Sequence, residues 1–286
     1  MAYVVAGVSG HTGRVVAETL LAGGSKVRVV VRDAAKGEPW AKKGAEVAIA
    51  DLGDEAALAK ALAGATGAYL LVPPIMGVPD MRAAQAKTLA SIAAAVKASA
   101  VPHVVLLSSI GAQHAAGTGP IVTAHRAEQA LRAIPGTAST FVRATYFMEN
   151  IGGSLGGLAH GVFPTFLPAA FAHDMVATHD IGTLAASLLV EGPKGTRHVN
   201  LAGPRTYSAN DVAAALTRLT GKTIAVAEAP LDTMAKTLEG YGFTPDLAGL
   251  YHEMTAGFLS GLVAWEDGPV VRGKTELEAV LKSMLG

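Results

Sequence analysis

The 286-residue sequence predicts a doubly wound α/β fold, a parallel sheet with helices over both faces. Three observations predict it. Short, charge-poor, β-branched runs recur through the first 150 residues, Ala/Leu-rich segments with helical spacing separate them, and a glycine-rich turn joins the first run to the first helix. Charge-poor strands alternating with helices indicate a parallel sheet buried on both faces. A right-handed series of such βαβ units winds into an open sheet of this kind.

The elements follow in order. Tyr3–Ala6 is a strand, and Thr12–Leu21 the helix that returns from it. Strands are then expected at Lys26–Val31 and Val47–Ala50, a helix at Asp54–Leu62, and a strand at Ala68–Val72. The helix Met81–Ser99, the strand Val104–Leu107, the helix Val122–Ala133 and the strand Thr140–Arg143 complete the first 150 residues. Beyond residue 150 the rhythm changes. Ile151–His173 has no formal charge but holds five glycines and two prolines, so it reads as a mobile loop or broken helix rather than a membrane span. A helix near Ile181–Val190, a strand His198–Leu201, a helix Ala209–Leu219 and a strand Thr223–Ala227 come next. Ser208 with Asp211 reads as a capping box, and Thr244-Pro245 and Thr275 with Glu278 as two later helix starts. The expected division is residues 1–150 as one domain and 151–286 as a smaller, mostly helical substrate-binding lobe packed on it, with the chain crossing back.

Composition narrows the function. Half of the residues are apolar, and Lys+Arg and Asp+Glu both number 23, so the formal charge is zero. That provides a large core and no basic surplus for neutralising phosphates, so nucleic acid is not an expected partner. With no cysteine, disulfides, thiolate metal sites and thiol nucleophiles are excluded. The N-terminus has no basic segment ahead of its short apolar run, which is unlike a signal peptide, and a cytoplasmic protein without a membrane partner is expected. No HxxxH or HExxH pair, GxSxG elbow or GxxxxGK[ST] loop occurs, so neither a metal site, an acyl-transfer nucleophile nor a P-loop is expected.

The strongest chemical signal is Gly7-Val8-Ser9-Gly10-His11-Thr12-Gly13, placed directly after the first strand and opening the first helix. In that context Gly7 permits a tight turn, Gly10 close approach of a pyrophosphate, and Gly13 close packing of helix on strand. Free N–H groups at the helix start then hold the anion. Residues 7–13 therefore mark the dinucleotide site of a Rossmann domain. At the end of the second strand, where an NAD site usually carries an acid, stand Arg32 and Asp33, with Lys36 one turn on. Two cations beside the ribose suit a 2′-phosphate and favour NADP(H) over NAD(H). The other reading leaves them as solvated charges and makes Asp33 the ribose ligand. Asp51, ending the third strand, either meets the adenine amino group or caps a turn.

Several stretches together resemble the NmrA-like branch of the atypical short-chain dehydrogenase/reductases. They are the glycine loop, VVVRDAAK at 29–36, IADLGDEAALAKAL at 49–62, LLVPP at 70–74, His125–Arg132, Phe141–Asn150 and Leu201-Ala202-Gly203-Pro204. The similarity runs along nearly the whole chain and is nearest the bacterial NAD(P)H:quinone oxidoreductase and triphenylmethane reductase group. It implies an NADPH site formed by the glycine loop, Arg32, Lys36, Asp51, Leu52, Leu71, Val72 and Pro73, and completed by Phe147 and Asn150 near the nicotinamide. Ser108 is assigned to the cofactor and Ser109 to the substrate, unless the pair only caps the strand end. Tyr146, Phe163 and Phe166 are expected to touch substrate, the phenylalanines (with Phe171) either as an apolar lid or as core.

No tyrosine is followed by lysine at i+4, so the usual Tyr/Lys proton-donating pair is missing. No lysine occurs from Ala98 to Pro193, which removes the lysine that isoflavone-reductase relatives use. His125 stands near that place and is the candidate proton donor, or else a helix-start histidine bonded to a carbonyl. Glu128 reads as a surface or helix-pairing charge. Hydride transfer to a quinone asks least of such a site, since stacking, orientation and exclusion of water do most of the work. The expectation is an NADPH-dependent reductase of a small aromatic acceptor such as a quinone. The alternative is a non-catalytic NADP(H)-binding redox sensor that docks a partner protein. Nothing in the sequence marks an oligomer interface.

Overall fold

Alternation along the strands builds the centre of the molecule. Val4, Leu70, Leu106 and Phe141 point to one side of a sheet, and their neighbours Val5, Tyr69, Val105 and Val142 to the other, all fully buried. Each side needs a helical layer, because a parallel sheet exposes apolar side chains on both faces. The computed structural model describes residues 1–286 and supplies both layers.

The first strand, β1 (Tyr3–Val5), leads through the glycine turn into α1 (His11–Ala22). β2 (Val27–Val31), α2 (Ala34–Lys42), β3 (Glu46–Ile49), α3 (Glu55–Leu62), β4 (Gly67–Leu70), α4 (Met81–Ser99), β5 (His103–Ser109), α5 (Val122–Arg132) and β6 (Ala138–Ala144) continue the alternation. The chain then passes through β7 (Tyr146–Phe147), 3-10 turns over Met148–His160, β8 (Val162–Thr165), β9 (His173–Val176), α6 (Thr178–Glu191), β10 (Arg197–Ala202) and β11 (Thr206–Tyr207). It closes with α7 (Ala209–Thr220), β12 (Ala225–Glu228), α8 (Met234–Gly240), α9 (Pro245–Leu259), β13 (Val270–Arg272) and α10 (Leu277–Leu285).

The main sheet has eight strands in the order β13-β10-β6-β5-β4-β1-β2-β3, every neighbouring pair parallel. Strand order reverses between β1 and β4, and the crevice above that reversal is where an open α/β sheet binds its ligand. Helices α3, α4 and α5 cover one face through Leu58, Ile92 and Leu131. Helices α1 and α6 cover the other through Val16, Leu20, Ile181 and Leu189. A third core, centred on Met148, Phe163, Tyr207 and Leu216, lies under two small sheets, β11-β9-β7 and β12-β8.

Three expectations are corrected. Helix α2 was not foreseen, because Gly37 and Pro39 break its pattern. Asp33 starts it by accepting from the Lys36 N–H at 2.9 Å, and Gly37 sits where a Cβ would lie 2.4 Å from a Val47 methyl. The helix is set by packing on β3 rather than by propensity. Residues 151–173 are not a free loop: β8 pairs in parallel with β12, from Val162↔Ala225 to Thr165↔Glu228, and Ile151 and Phe163 are core. The chain crosses back into the main sheet, where β10 pairs with β6 and β13 with β10. Finally, Thr275 does not cap the last helix. Its hydroxyl and N–H go to Asp180, and Glu276 is the N-cap of α10. The Ser208–Asp211 capping box is present as expected, and Thr244 caps α9.

Candidate functional site

The cleft begins at the glycine turn. Gly7 has φ +71°, a left-handed conformation that favours glycine, and its carbonyl accepts from Gly10 N–H at 2.9 Å. A Cβ on Gly13 would lie 2.5 Å from the backbone oxygens of Ala6 and Gly7, so only glycine lets α1 start this close to β1. Gly10 offers no side-chain cap, and the first turn of α1 holds no acid. The Thr12 hydroxyl accepts from the buried Tyr69 phenol at 2.9 Å, which fixes the helix start to β4. The result is a helix N-terminus with open N–H groups at a strand's carboxyl end, a physical setting for an anion.

Around this turn lies a cavity of about 360 Å³, lined by Gly7, Gly10, Leu71, Ser108 and Phe147 among others, His11, Thr12 and Val72 included. Beside it opens a larger cavity of about 540 Å³ with mainly apolar walls. Ser109, Pro120, Ile121, Phe147 and Tyr251 line both, so the two form one cleft with a shared waist. Tyr146, Asn150, Phe163 and Phe166 line the larger part, as does Phe171. The sequence-derived candidates thus divide into two adjoining sets.

Other candidates stand apart from the cavity walls. Arg32 and Lys36 are exposed beyond the carboxyl end of β2, near Asp51 and Leu52 after β3. Asp33 is committed to Lys36. The Lys36 N–H holds its carboxyl below the usual range, and the Lys36 ammonium lies 3.5 Å away. Asp51 accepts from Gly53 N–H at 2.8 Å, closing a turn. The Pro73 carbonyl accepts from Gln85 Nε2 at 3.1 Å, and Gln85 Oε1 accepts from the Thr123 hydroxyl at 2.8 Å, tying the loop after β4 to α4 and α5. Ser9 is exposed on the glycine turn.

His125 lines neither cavity. Its Nδ1 is 2.9 Å from the Ala112 carbonyl, the geometry of a helix-start histidine holding a loop, so a proton-donating role finds no geometric support. Glu128 is not a surface charge: it is 1% exposed, its carboxylate takes two bonds from Arg143, at 2.8 and 2.8 Å, and Arg132, one turn on along α5, lies 3.4 Å away. Ser108 donates to the same carboxylate at 2.6 Å, and Arg143 reaches on to Glu266. Ser108 therefore meets the cleft already committed to this buried pair.

Sequence reading missed the far wall. His173 from β9 and Tyr251, Met254 and Phe258 from α9 line the larger cavity. His173 donates its Nδ1–H to the Asp174 carbonyl, 3.1 Å away, and its ring packs edge-on to Tyr146 with centroids 5.5 Å apart. Burial pushes the His173 imidazole down from its usual value, and burial pushes the Tyr146 phenol up to about 12. The spacing of Leu247, Leu250, Tyr251, Met254 and Phe258 was a readable helical stripe, but not what it faces.

Comparison with known proteins now decides the relationship. The family model described as NmrA-like family matches residues 2–256. The chain belongs to the NmrA-like family. It is 25% identical over 279 residues to the NAD(P)H azoreductase of Xenophilus azovorans, covering 95% of this chain and 93% of that protein. It is 28% identical over 263 residues to quinone oxidoreductase 2 of Escherichia coli strain K12, covering 90% and 88%. Among solved structures, the Citrobacter sp. triphenylmethane reductase superposes with a TM-score of 0.80 at 20% identity, over 100% of this chain and 99% of that one. The NADPH complex of the E. coli quinone oxidoreductase superposes with a TM-score of 0.77 at 24% identity, over 100% and 99%. These likenesses at low identity establish the fold of this NmrA-like chain as theirs. No helix is long and apolar enough to cross a membrane.

Proposed function

We propose that this NmrA-like protein is an NADPH-dependent reductase that passes hydride to a small aromatic acceptor such as a quinone. One observation carries the reading: the glycine-turn cavity and the apolar cavity share a waist at Ser109, Phe147 and Tyr251. The residues present fit a dinucleotide, because the space a Gly13 Cβ would fill is closed by backbone and the helix start beside it has no competing cap or acid. When bound there, the nicotinamide supplies a hydride equivalent from its ring.

The chain's own residues bind, orient and exclude water. Residues 7–13 hold the pyrophosphate, Arg32 and Lys36 face the 2′-phosphate, and Leu71 and Val72 wall the ribose side. Phe147, at the waist, and Asn150, on the wall of the larger cavity, hold the ring edge toward the acceptor. Aromatic and aliphatic side chains of the larger cavity then keep a flat acceptor dry and aligned. No lysine lines either cavity, and burial holds the His173 imidazole of the larger one toward its neutral form, which favours an acceptor whose reduced form takes its protons from water. Relatives named as an azoreductase and a quinone oxidoreductase support the reductase reading over a docking role. We assign the protein to the cytoplasm, where NADPH is held reduced.

The test is steady-state oxidation of NADPH and of NADH by the purified protein with neutral quinones. Saturable turnover with kcat/KM higher for NADPH is expected. Tight NADPH binding with no turnover of any acceptor would overturn the reading in favour of a dinucleotide-binding partner protein.

A further inference from the structure

The larger cavity is unusual in what its walls lack. No Asp, Glu, Lys or Arg lines it. The nearest carboxylates are turned elsewhere: Asp174 takes Trp265 Nε1 at 2.9 Å and also holds Arg272, and Glu149 caps α6 at Thr178 N–H, 2.9 Å. Its single imidazole, His173, is pushed toward the neutral form by burial. A charged group brought into such a space loses its water and finds no counter-ion, which is costly.

Some of the polar side chains lining the cavity are already committed within the protein, whereas Asn150, Ser154 and the two phenols are not. Four hydroxyls are spent on backbone carbonyls: Ser109 on Ile110, Thr145 on Asp174, Thr165 on Leu167 and Thr255 on Tyr251. The phenols of Tyr146 and Tyr251 have no protein hydrogen-bond partner, and both side chains line the larger cavity. Tyr251 also lines the smaller cavity, which puts it at the waist where the acceptor meets the cofactor. Both phenols stay protonated through the physiological range, because burial raises both, and so both remain hydrogen-bond donors.

We propose that the Tyr146 and Tyr251 phenols donate to ring carbonyl oxygen of the acceptor, and that the cavity accepts uncharged carbonyl-bearing aromatics while rejecting those with an ionised group beside that carbonyl. This rests on the reductase reading and names its substrate class more narrowly. Both tyrosines act by donating hydrogen bonds, and no bond to the acceptor is made or broken by them.

Calorimetric titration of the NADP⁺-saturated protein, in which no turnover occurs, provides the test. The probes are 1,4-naphthoquinone, its 2-sulfonate and naphthalene, and the absence of cysteine removes thiol addition as a complication. Naphthoquinone is expected to bind, and the sulfonate roughly 100-fold more weakly. Tyr251→Phe and Tyr146→Phe should each weaken naphthoquinone about 3- to 10-fold and leave naphthalene unchanged. Equal affinity for the sulfonate, or unchanged naphthoquinone affinity in both variants, overturns the proposal and leaves the reductase reading standing. Failure of naphthoquinone to bind a protein that still holds NADP⁺ overturns the reductase reading itself.

Discussion

Arg32 ends its strand exposed, and the acid next to it is not available to it. Asp33 is bound to the Lys36 N–H at 2.9 Å and starts α2, so the position that would read a free ribose hydroxyl is occupied by a helix cap. A guanidinium left facing solvent beside a dinucleotide cleft suits a phosphate through charge-assisted hydrogen bonds. Replacing Arg32 by Ala is expected to weaken NADPH by about 2 kcal/mol, roughly 30-fold, and NADH by less than about 2-fold. Fluorescence titration with both nucleotides measures it, and equal losses would contradict a 2′-phosphate contact. Arg32 was legible from its place after the second strand. The commitment of Asp33 was not, since it depends on a helix that local propensity did not announce.

Between elements, the buried Glu128–Arg143 pair does what no single strand pattern shows. It joins α5 to β6, takes Ser108 of β5 as a third member, and reaches Glu266 in the loop before β13. Removing one partner strands the other's charge in the core. Glu128→Ala is therefore expected to cost about 3–5 kcal/mol of stability, measurable as a lowered denaturant midpoint. Retention of the wild-type midpoint would mean that the pair is solvated. In the sequence, Glu128 read as a surface or helix-pairing charge; its pairing to Arg132 along the helix is local, but its burial on Arg143, 15 residues away on another element, is not. The same limit hid the β8–β12 pairing. A glycine- and proline-rich segment carries no period of its own, and β8 exists because β12, more than fifty residues later, offers it backbone partners.

Across the whole molecule, the sheet and its helices were readable because alternation and helical spacing are local signals, and the glycine turn because it must follow a strand. What remained hidden was convergence. The far wall of the cleft comes from β9, which pairs directly with β7, and from α9, which follows only after the chain has crossed back into the main sheet through β10. Residues that line such a wall obey no motif, so nothing in the sequence singled out Tyr251 or His173. The central claim is that the two cavities work as one cleft, with the cofactor ring at the waist. Its most direct test is a single turnover. Protein loaded with one equivalent of NADPH is mixed with 1,4-naphthoquinone while the nicotinamide absorbance is followed. Complete loss of that absorbance, at a rate that saturates with quinone concentration, is the predicted result. Absorbance that decays only at the rate of free NADPH, with both ligands bound, would contradict it.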